Sequence, residues 1–489
     1  MLRKIFSYGT FAIIVVLLQI ILIAYAVTAG ASVPAVGIFY RLLTYGLVIY
    51  IVNQPINSGY KLCWAIPMLC FPLYGGFAYL LFSRRHSVNA IHSRMKPFLM
   101  SEIRKIKGLT PETGIQKYLS ALDFPLCSCN EAHYYPFGED LFCEMLKKIS
   151  EAEKFIYIEF FIISDGKAWS MMEKLLAEKA AQGVNIRIIT DSAGCLFTKP
   201  AGFRKRLQAL GIEYAEFNPV SLRATGRVNY RNHRKILVCD GEYAFCCGIN
   251  ISDEYMNYKE RFGKWKDTGI MVSGKAAESF TAMFLGMWNY LTHSNDKMFL
   301  RGNDNEQQCV VQPFSDSPFD NNSVGLRTCL SLINSATESV RLTTPYLVCD
   351  DEMLNSLVFA AKRGVRVQLI TPGIPDKKYV YALTRSYYKP LTEAGVEIYE
   401  YSPGFIHAKT LVIDGKTAVV GTINFDYRSM FLLFECACVF YGGNVPSEIT
   451  SDFDKTLKVC NFISHTEASE SGVLVRIVRG LLRLFAPLL

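Results

Sequence analysis

The chain lacks the sequence patterns of several common binding sites. It contains no GxxxxGK[ST] run, which excludes a Walker-type nucleotide site. It has 15 cysteines, but no two of them are separated by the two-residue gap that is typical of zinc knuckles; the closest pairs are Cys127/Cys129, Cys246/Cys247 and Cys436/Cys438. The sequence therefore predicts neither a structural metal nor a nucleotide cofactor.

Charge is also sparse, because Asp, Glu, Lys and Arg together make up 20% of the chain while apolar residues make up 50%. The formal net charge of +8 is modest, and no basic stretch is interleaved with aromatic residues as in single-stranded nucleic-acid sites. We therefore expect no nucleic-acid partner. Most cysteines lie inside apolar runs, where a thiol acts as a small hydrophobic side chain, and so many free thiols fit a reducing compartment.

Apolar residues are concentrated in three segments near the N-terminus. Residues 11–31 carry no charge over a length that could span about 30 Å as a helix. Residues 60–82 have only Lys61 at their edge, and residues 36–52 contain Arg41. A cleaved signal peptide is an alternative for the first segment, but the segments that follow favour retained anchors.

Basic residues flank these apolar segments on both sides. Two of them precede the first segment, and a larger cluster follows the last one: Arg3 and Lys4, then Arg84, Arg85, Arg94, Lys96, Arg104, Lys105 and Lys107. Because basic flanks tend to remain in the cytoplasm, an even number of crossings is expected. The sequence thus predicts a multi-pass cell-membrane protein with its main domains in the cytoplasm, and the basic cluster could also bind anionic headgroups.

One pattern of polar residues occurs twice. The first copy reads NHRKILVCD (232–240) and the second reads IHAKTLVID (406–414). In each copy His and Lys are two residues apart, an Asp precedes a Gly, and an Asn follows 17 residues after the His; these residues are His233, Lys235, Asp240 and Asn250, and His407, Lys409, Asp414 and Asn424. Since the chain has only seven histidines, this recurrence indicates an internal repeat.

The spacing within each copy is that of a β-strand. Residues i and i+2 of a strand point to the same face, so the imidazole and the ammonium emerge side by side. The apolar runs are expected to be buried strands, and Asp240-Gly241 and Asp414-Gly415 are turn signals. An antiparallel strand at 243–249 or 418–423 would then bring the Asn beside the His. An imidazole, an ammonium and an amide at one place predict a phosphate site.

Strands and helices alternate in the same order before each copy, with predicted strands at 155–163, 183–191 and 211–214 and again at 340–348, 361–370 and 395–399. This order predicts an α/β fold in which two halves pack about a pseudo-twofold axis and bring both motifs into one cleft. The predicted organisation is an N-terminal transmembrane region (1–83), a basic juxtamembrane linker (84–129), a first domain (130–300) and a second domain (301–489).

The doubled His-x-Lys-x4-Asp pattern with its trailing Asn resembles the phospholipase D superfamily over roughly residues 130–489. Together with the apolar N-terminal segments, the resemblance is to the bacterial cardiolipin synthases of that superfamily. It implies two phospholipase D-like domains with mixed sheets flanked by helices, preceded by transmembrane helices. It also implies that no metal or cofactor is used, because the lysines take the place of a metal.

The resemblance implies a two-step phosphatidyl transfer. His233 attacks phosphorus to form a phosphohistidine, while His407 protonates the departing glycerol oxygen and later activates the incoming hydroxyl. The sequence leaves an exchange of these two roles open. Lys235 and Lys409 place positive charge near the phosphoryl oxygens, and the two motif asparagines, Asn250 and Asn424, donate to the developing negative charge.

Further site residues come from the same resemblance. In the superfamily a carboxylate on a strand downstream of the motif orients each histidine, and Asp267 and Glu435 match those positions. Asp240 and Asp414 belong to the motif and are candidate catalytic residues, although binding of turn amides is a better role for them. Glu159 and Tyr346 match positions that line the cleft.

Two peripheral segments have alternative interpretations. The loop 222–230, rich in Arg and Gly, could contact headgroups or be an ordinary surface insertion. Residues 473–485 form a predicted helix with Arg476, Arg479 and Arg483 on one stripe, and it could lie in the bilayer interface or pack in the core as a terminal helix.

The implied reaction joins two phosphatidylglycerol molecules into cardiolipin and glycerol, with phosphatidylglycerol, other anionic phospholipids and the membrane as partners. Alternatives are a membrane-bound phospholipase D-type hydrolase, a transphosphatidylase with another lipid acceptor, a nuclease of the same superfamily, and a membrane scaffold with an inactive site. Because both His-Lys-Asn sets are intact, the sequence disfavours the scaffold.

Overall fold

A computed structural model describes residues 34–54, 56–70, 79, 85–219, 229–298, 309–320, 322–470 and 472–488. The chain divides into two compact units. One comprises residues 1–88 and 484–489, and the other comprises residues 89–483.

The smaller unit contains helices α1 (Pro34–Val52) and α2 (Ser58–Cys70). Pro67 lies inside α2, which is only 13 residues long, and the thiol of Cys63 in this helix donates to the carbonyl of Leu484. Large apolar side chains of α1 are exposed, among them Ile38, Phe39, Leu42 and Ile49.

The predicted transmembrane helices are not supported by the described part of the chain. Segment 36–52 corresponds to α1, and the described part of segment 60–82 is mostly α2. Among the described residues, no helix combines the length and the apolar character that a bilayer crossing requires. Segment 11–31 lies outside the described residues.

The larger unit begins with two helices and then builds a seven-stranded sheet, whose strands follow the order β2-β9-β8-β7-β3-β4-β5. The elements in chain order are α3 (Arg85–Ser101), α4 (Gly114–Ala121), β1 (Cys127–Cys129), β2 (Ala132–Tyr135), α5 (Gly138–Glu151), β3 (Phe155–Phe160), α6 (Lys167–Ala181), β4 (Asn185–Asp191), α7 (Phe203–Ala209), β5 (Glu213–Phe217), β6 (Arg231–Asn232), β7 (Ile236–Cys239), β8 (Tyr243–Cys247), β9 (Gly269–Ser273) and α8 (Lys275–Thr292). The predicted strands and the predicted antiparallel hairpin before and after the first motif are confirmed.

The second half of this unit builds a ten-stranded sheet, with the order β1-β10-β18-β16-β15-β11-β13-β14-β19 and β6 paired to β18. Its elements are β10 (Cys309–Asp316), α9 (Val324–Ser335), β11 (Ser339–Thr343), β12 (Leu347–Val348), α10 (Asp351–Lys362), β13 (Arg366–Pro372), α11 (Lys378–Thr384), α12 (Tyr388–Glu393), β14 (Glu397–Tyr401), β15 (Thr410–Ile413), β16 (Thr417–Gly421), β17 (Phe425–Asp426), α13 (Tyr427–Phe431), β18 (Leu433–Tyr441), α14 (Asn444–Leu457), β19 (Cys460–Ile463), α15 (His465–Ser469) and α16 (Val473–Phe485). Residues 127–129, placed in a linker by the sequence analysis, form an edge strand of this sheet.

The two sheets share one internal order. Strands β9-β8-β7-β3-β4-β5 of the first sheet correspond to β18-β16-β15-β11-β13-β14 of the second. In each set the motif strand, β7 or β15, pairs antiparallel with a strand that in turn pairs parallel with the next. The α/β architecture of two similar halves, predicted from the repeat, is therefore confirmed.

The apolar residues of the first sheet form a continuous core with the helices that cover it. Ile156 and Ile158 of β3 and Leu237 of β7 are fully buried together with Trp169 of α6. Helix α8 is buried throughout residues 276–289, which explains its nearly uninterrupted apolar and small-residue sequence. The motif strand β7 is thereby fixed in this packed layer.

The terminal helix α16 has no buried residue. Its apolar side chains are exposed, for example Leu474 (73%) and Ile477 (56%), so the core-packed alternative is wrong. Near the end of this helix, the guanidinium of Arg483 lies 4.5 Å from the ring centroid of Tyr387, while Arg476 is exposed. Residues 222–228 of the Arg- and Gly-rich loop lie outside the described residues.

Candidate active site

The backbone amide of each motif histidine is hydrogen-bonded to the other half of the protein. The amide of His233 donates to the carbonyl of Phe434 at 2.9 Å, and the amide of His407 donates to the carbonyl of Lys266 at 2.7 Å. Phe434 and Lys266 directly precede the two candidate carboxylates in sequence. These two equivalent contacts bring both motifs to a common junction between the halves.

The carboxylates that orient the histidines are exchanged between the halves. Nδ1 of His233 lies 2.9 Å and 3.0 Å from the two carboxylate oxygens of Glu435. Nδ1 of His407 lies 2.6 Å from Oδ2 of Asp267. Each half therefore supplies the carboxylate for the other half's histidine.

Both carboxylates are themselves held in place. The hydroxyl of Ser429 donates to Oε1 of Glu435 at 2.7 Å, and the hydroxyl of Thr422 donates to Oε2. The amide of Thr268 donates to Oδ1 of Asp267 at 2.8 Å. Gly248 is required beside Asp267, because a Cβ at this position would collide with that carboxylate. Gly248, two residues before Asn250, thus leaves room for the orienting group.

The motif lysines are folded back toward the histidines. Nζ of Lys235 donates to the carbonyl of His233 at 2.7 Å. Nζ of Lys409 donates to the carbonyl of His407 and lies 2.8 Å from Nδ1 of the same residue. Both lysines are buried, with Lys235 fully inaccessible. Two ammonium groups are thereby concentrated around the two imidazoles.

Burial and the lysines keep the imidazoles neutral. Desolvation lowers the pKa of both His233 and His407 well below the ordinary value, and the nearby Lys235 and Lys409 lower it further. The charge of His233 also lowers the pKa of His407, as expected for two imidazoles in one site. In each neutral imidazole we place the proton on Nδ1, where it is donated to the carboxylate. Nε2 is then the unprotonated nitrogen.

Three other ionisable groups of the site have pKa values shifted toward neutral pH. Desolvation raises the pKa of Asp267 to about 6 and that of Glu435 to about 7, although both lysines oppose these shifts. Desolvation lowers the pKa of Lys409 to about 7, with Asp267 opposing. Such values favour proton transfer at small cost, which is the property required of an acid–base site.

Aromatic rings surround the histidines. The ring centroid of Phe161 lies 5.2 Å from that of His233, and the centroids of Tyr255 and Trp265 lie 5.4 Å and 5.6 Å from that of His407. Because these rings displace water from the imidazoles, charges inside the site interact more strongly than at the surface.

The two motif asparagines differ in their contacts. Oδ1 of Asn250 accepts from the amide of Ile162 at 3.0 Å, and its Nδ2 donates to the hydroxyl of Tyr255 at 2.8 Å. One N–H of that amide is left over. Within the described ranges, Oδ1 of the buried Asn424 has no hydrogen-bond partner.

The motif aspartates lie at the opposite end of their strands from the histidines. His233 lies three residues before β7 begins and Asp240 directly follows its end, and His407 and Asp414 are placed in the same way about β15. Asp240 accepts three backbone amides, those of residues 153–155, at 2.8 Å. Asp414 accepts the amides of residues 337–339. The structure thus separates both aspartates from the reacting groups and gives them a structural role.

Of the two residues expected to line the cleft, one lies on the side of the site and the other does not. Glu159 forms an ion pair with Arg234 and accepts a hydrogen bond from Asn232. These two residues flank His233 in sequence, and because side chains alternate between faces, Glu159 lies on the opposite face of the sheet from His233. Tyr346 lies on the site's side, because its ring packs on Phe405, which contacts His407. The expectation for Glu159 is therefore wrong.

Several site residues carry no sequence signal of the kind used above. Trp265 and Tyr255 line His407, and Thr422 and Ser429 hold Glu435. Arg428 lies near enough to His233 that its charge lowers the pKa of that imidazole. Trp265 and Thr422 are adjacent to motif residues in sequence, but the others are defined only by packing. In the described part of the chain, no cluster of His, Cys, Asp and Glu is arranged to hold a metal ion.

Comparison with known proteins agrees with this geometry. Residues 145–288 and 329–457, one range in each half, match the family described as "Cardiolipin synthase, PLD-like domain". Residues 42–84 match "Phospholipase_D-nuclease N-terminal". The chain belongs to the cardiolipin synthase family with phospholipase D-like domains.

Members of the cardiolipin synthase family and other relatives resemble the chain over most of its length. An "Uncharacterized protein" of Streptococcus mutans is 37% identical, covering 91% of this chain and all of the relative. A "Cardiolipin synthase" of Geobacillus kaustophilus is 32% identical and covers 91% of both chains. Among solved structures, a phosphatidylserine synthase from Haemophilus influenzae Rd KW20 has a TM-score of 0.58 at 14% identity, covering 77% of this chain and 98% of that one, which supports the two-domain fold.

Proposed function

We propose that the protein is a phosphatidyltransferase that makes cardiolipin and glycerol from two molecules of phosphatidylglycerol. The observation that carries the proposal is the exchanged pair of His–carboxylate contacts, which places two imidazoles and two ammonium groups in one buried site. Cardiolipin synthases with about 30% identity over nine-tenths of the chain support the substrate class.

The first step breaks the bond between phosphorus and the headgroup glycerol oxygen. Nε2 of His233 forms a bond to phosphorus while the bond from phosphorus to the glycerol oxygen breaks. His407, neutral in the free site, takes up a proton on Nε2 when the anionic phosphodiester binds, and it gives that proton to the leaving oxygen. Lys235 and Lys409 stabilise the phosphoryl oxygens, and each charge pair contributes about 4 kcal/mol at a separation of about 4 Å in an effective dielectric of 20. Asn250, through its remaining N–H, and Asn424 contribute further hydrogen bonds.

The second step reverses the first with a new alcohol. His407 accepts the proton of an incoming lipid hydroxyl, whose oxygen bonds to phosphorus while the phosphorus–Nε2 bond breaks. One phosphodiester replaces another, so the exchange is nearly thermoneutral and needs no nucleotide. The exchange of roles between the two histidines preserves this scheme, because their environments are nearly symmetric.

We further propose that the reaction takes place at a membrane, where lipid alcohols are concentrated and water is depleted. Exposed apolar side chains on α1 and α16 support this placement, including Phe39, Leu42 and Leu474. The arginines of α16 add affinity for anionic lipid. Retained membrane segments and a cytoplasmic position of the catalytic domains remain part of this proposal.

The experiment incubates purified protein with vesicles of phosphatidylglycerol alone and identifies the products by mass spectrometry. We expect cardiolipin and glycerol in equal amounts, and co-sedimentation of the protein with the vesicles. His233→Ala and His407→Ala should each abolish product, whereas His133→Ala, which removes an exposed histidine paired with Glu131, should behave as the native chain does.

The other outcomes identify the alternatives. Phosphatidic acid in place of cardiolipin would identify a hydrolase, and product formed by His233→Ala and His407→Ala would contradict the proposed chemistry. Protein that stays in the supernatant would overturn the membrane placement.

A further inference from the structure

Arg428 is a cation beside the active site that lies outside both motifs. It belongs to the short helix α13, between the strand that follows Asn424 and strand β18, which carries Glu435. The carbonyl of Arg428 accepts the amide of Leu432 at 2.8 Å. The next residue, Leu433, is paired with Arg231 of β6, two residues before His233. The fold therefore holds Arg428 at the junction that positions His233.

The guanidinium of Arg428 forms no ion pair among the described residues, although its charge opposes the rise that desolvation causes in the pKa of the buried Asp426, and its side chain is half-buried. Its neighbour Arg231 is different, because it is buried, lies 3.6 Å from Asp191 and donates to the carbonyl of Asn218. The charge of Arg231 is thus compensated within the protein. Arg428 lacks such a close ion pair, so its guanidinium is available to a ligand.

The proposed reaction requires one more anion site than the motifs provide. The two motif lysines surround the phosphate that is attacked. The acceptor is a second phosphatidylglycerol, which brings its own negative phosphate a short glycerol bridge away from the reacting phosphorus. An arginine beside the nucleophile that has no close ion pair is suited to that second phosphate, since guanidinium groups bind phosphate with two parallel hydrogen bonds.

A cavity of about 320 Å³ has a largely apolar lining that includes Ile91, Met95, Phe217, Tyr230, Tyr290 and Phe319, together with the carboxylate of Glu216. Arg428 does not line it, so the cavity offers room for an apolar part of a lipid and not for its phosphate. Phe217 and Phe319 also pack on Phe434, with ring centroids 5.4 Å and 5.3 Å apart, and the carbonyl of Phe434 accepts the amide of His233. A volume of this size lies at the lower end of the range of ligand pockets.

We propose that Arg428 forms a subsite for the phosphate of the acceptor phospholipid and thereby selects an anionic lipid over a neutral alcohol as acceptor. This inference rests on the proposed function. It concerns only the fate of the phosphohistidine, not its formation. Both competing acceptors draw on the same phosphohistidine, so the ratio of their products is independent of how fast that adduct forms.

The experiment compares the native enzyme, Arg428→Gln and Arg428→Lys in micelles of phosphatidylglycerol that also contain a short neutral primary alcohol. Mass spectrometry gives the ratio of cardiolipin to phosphatidyl-alcohol. We expect Arg428→Gln to lower this ratio about tenfold, as the loss of a hydrogen bond to a charged group implies, and Arg428→Lys to lower it less. Arg327→Gln is the matched control, because Arg327 is an exposed arginine paired with Glu352, and its ratio should equal the native one.

A ratio in Arg428→Gln within about twofold of the native value, with both products falling together, would overturn the subsite. A second measurement needs no variant. With phosphatidylglycerol as donor, the native enzyme should use short-chain phosphatidylglycerol at least about tenfold better than short-chain monoacylglycerol as acceptor, and equal use would contradict the proposal. A native enzyme that makes no cardiolipin at all would instead refute the proposed function.

Discussion

At the scale of single residues, the main feature of the site is that each histidine depends on a carboxylate from the other half. Glu435 fixes His233 and Asp267 fixes His407. The two carboxylates therefore serve different steps of the proposed reaction. Glu435 orients the nucleophile, and Asp267 orients the acid that protonates the leaving group.

This exchange of carboxylates predicts that two conservative substitutions slow formation of the phosphohistidine with a different dependence on the donor. Glu435→Gln should slow formation with any donor, by about a hundredfold or more, because the nucleophile loses its tautomer. Asp267→Asn should slow formation with phosphatidylglycerol but much less with a phosphatidyl ester of p-nitrophenol, since that leaving group needs no proton. Rapid-quench detection of the acid-labile adduct measures both rates.

Glu400→Gln is the control for this pair, because Glu400 is a buried carboxylate that accepts from Tyr381 and Tyr388 away from the site. Its adduct should form at close to the native rate with either donor. If Asp267→Asn showed the donor-independent defect and Glu435→Gln the donor-dependent one, His407 would be the nucleophile. Equal effects of the two substitutions on both donors would contradict the division of roles.

At the scale of elements, the motif hairpins explain why Asp follows the apolar run. Asp240 and Gly241 have φ values of 55° and 66°, and Asp414 and Gly415 have values of 52° and 65°. Two successive residues with positive φ are required by a type I′ hairpin turn, which Asp-Gly favours. The aspartate side chain then binds the amides that lead into the neighbouring strand.

Asp414→Ala should therefore reduce stability and leave chemistry intact. Three backbone amides lose a charged acceptor, and because the site is partly exposed, we expect a loss of about 2 kcal/mol in the free energy of unfolding. Although partial burial acts to raise the pKa of Asp414, the amides lower it overall, which shows that the ionised form is bound. Urea titration measures the loss, and a kcat per folded molecule reduced by more than about tenfold would restore Asp414 to the catalytic group.

At the scale of the whole molecule, the site is built where the two sheets meet, and its charges are buried by the assembly of both halves. Sγ of Cys246 from the first sheet and Sγ of Cys436 from the second are 3.6 Å apart at this junction. Folding thus transfers Asp267, Glu435 and both lysines out of water together. The stability of the protein should consequently depend on the titration of these groups.

The effect of Glu435 on stability has a defined sign. Its pKa rises from 4.5 to about 7 on folding, so between these values the folded state binds more protons. Its contribution is fully present below pH 4.5 and is lost as the pH rises through about 7. Relative to the native chain, Glu435→Gln should therefore gain roughly 3 kcal/mol in the free energy of unfolding between pH 4.5 and pH 8.

Asp267→Asn provides the comparison, because the pKa of Asp267 rises from 3.8 to about 6. The free energy of unfolding of Asp267→Asn, relative to the native chain, should also increase with pH, but the increase should be complete about one pH unit lower than for Glu435→Gln. Denaturant unfolding of the three proteins at a series of pH values tests both curves. Differences in unfolding free energy that do not change with pH would show that neither carboxylate is buried in its neutral form.

The sequence by itself determined the repeat, most of the strands and the chemistry of the site. The predicted strand at 361–370 is instead the end of α10 followed by β13, and the predicted strand at 340–348 is divided into β11 and β12. Period-two spacing fixes that His233 and Lys235 share a face, and the same holds for His407 and Lys409, because side-chain alternation is a local property of an extended chain. Asp-Gly after an apolar run fixes the hairpins in the same way. Even Asp267 and Glu435 could be named from a family resemblance before any contact was known.

Only the tertiary structure decided which carboxylate serves which histidine, that Glu159 lies on the far face of its sheet, and that Arg428 lies beside His233. These relations join residues up to 202 positions apart, and they arise from the packing of two sheets against each other. No local pattern encodes them. From the sequence alone, each histidine could be paired with the carboxylate of its own half or with that of the other half. The packing of the two halves against each other decides between these pairings.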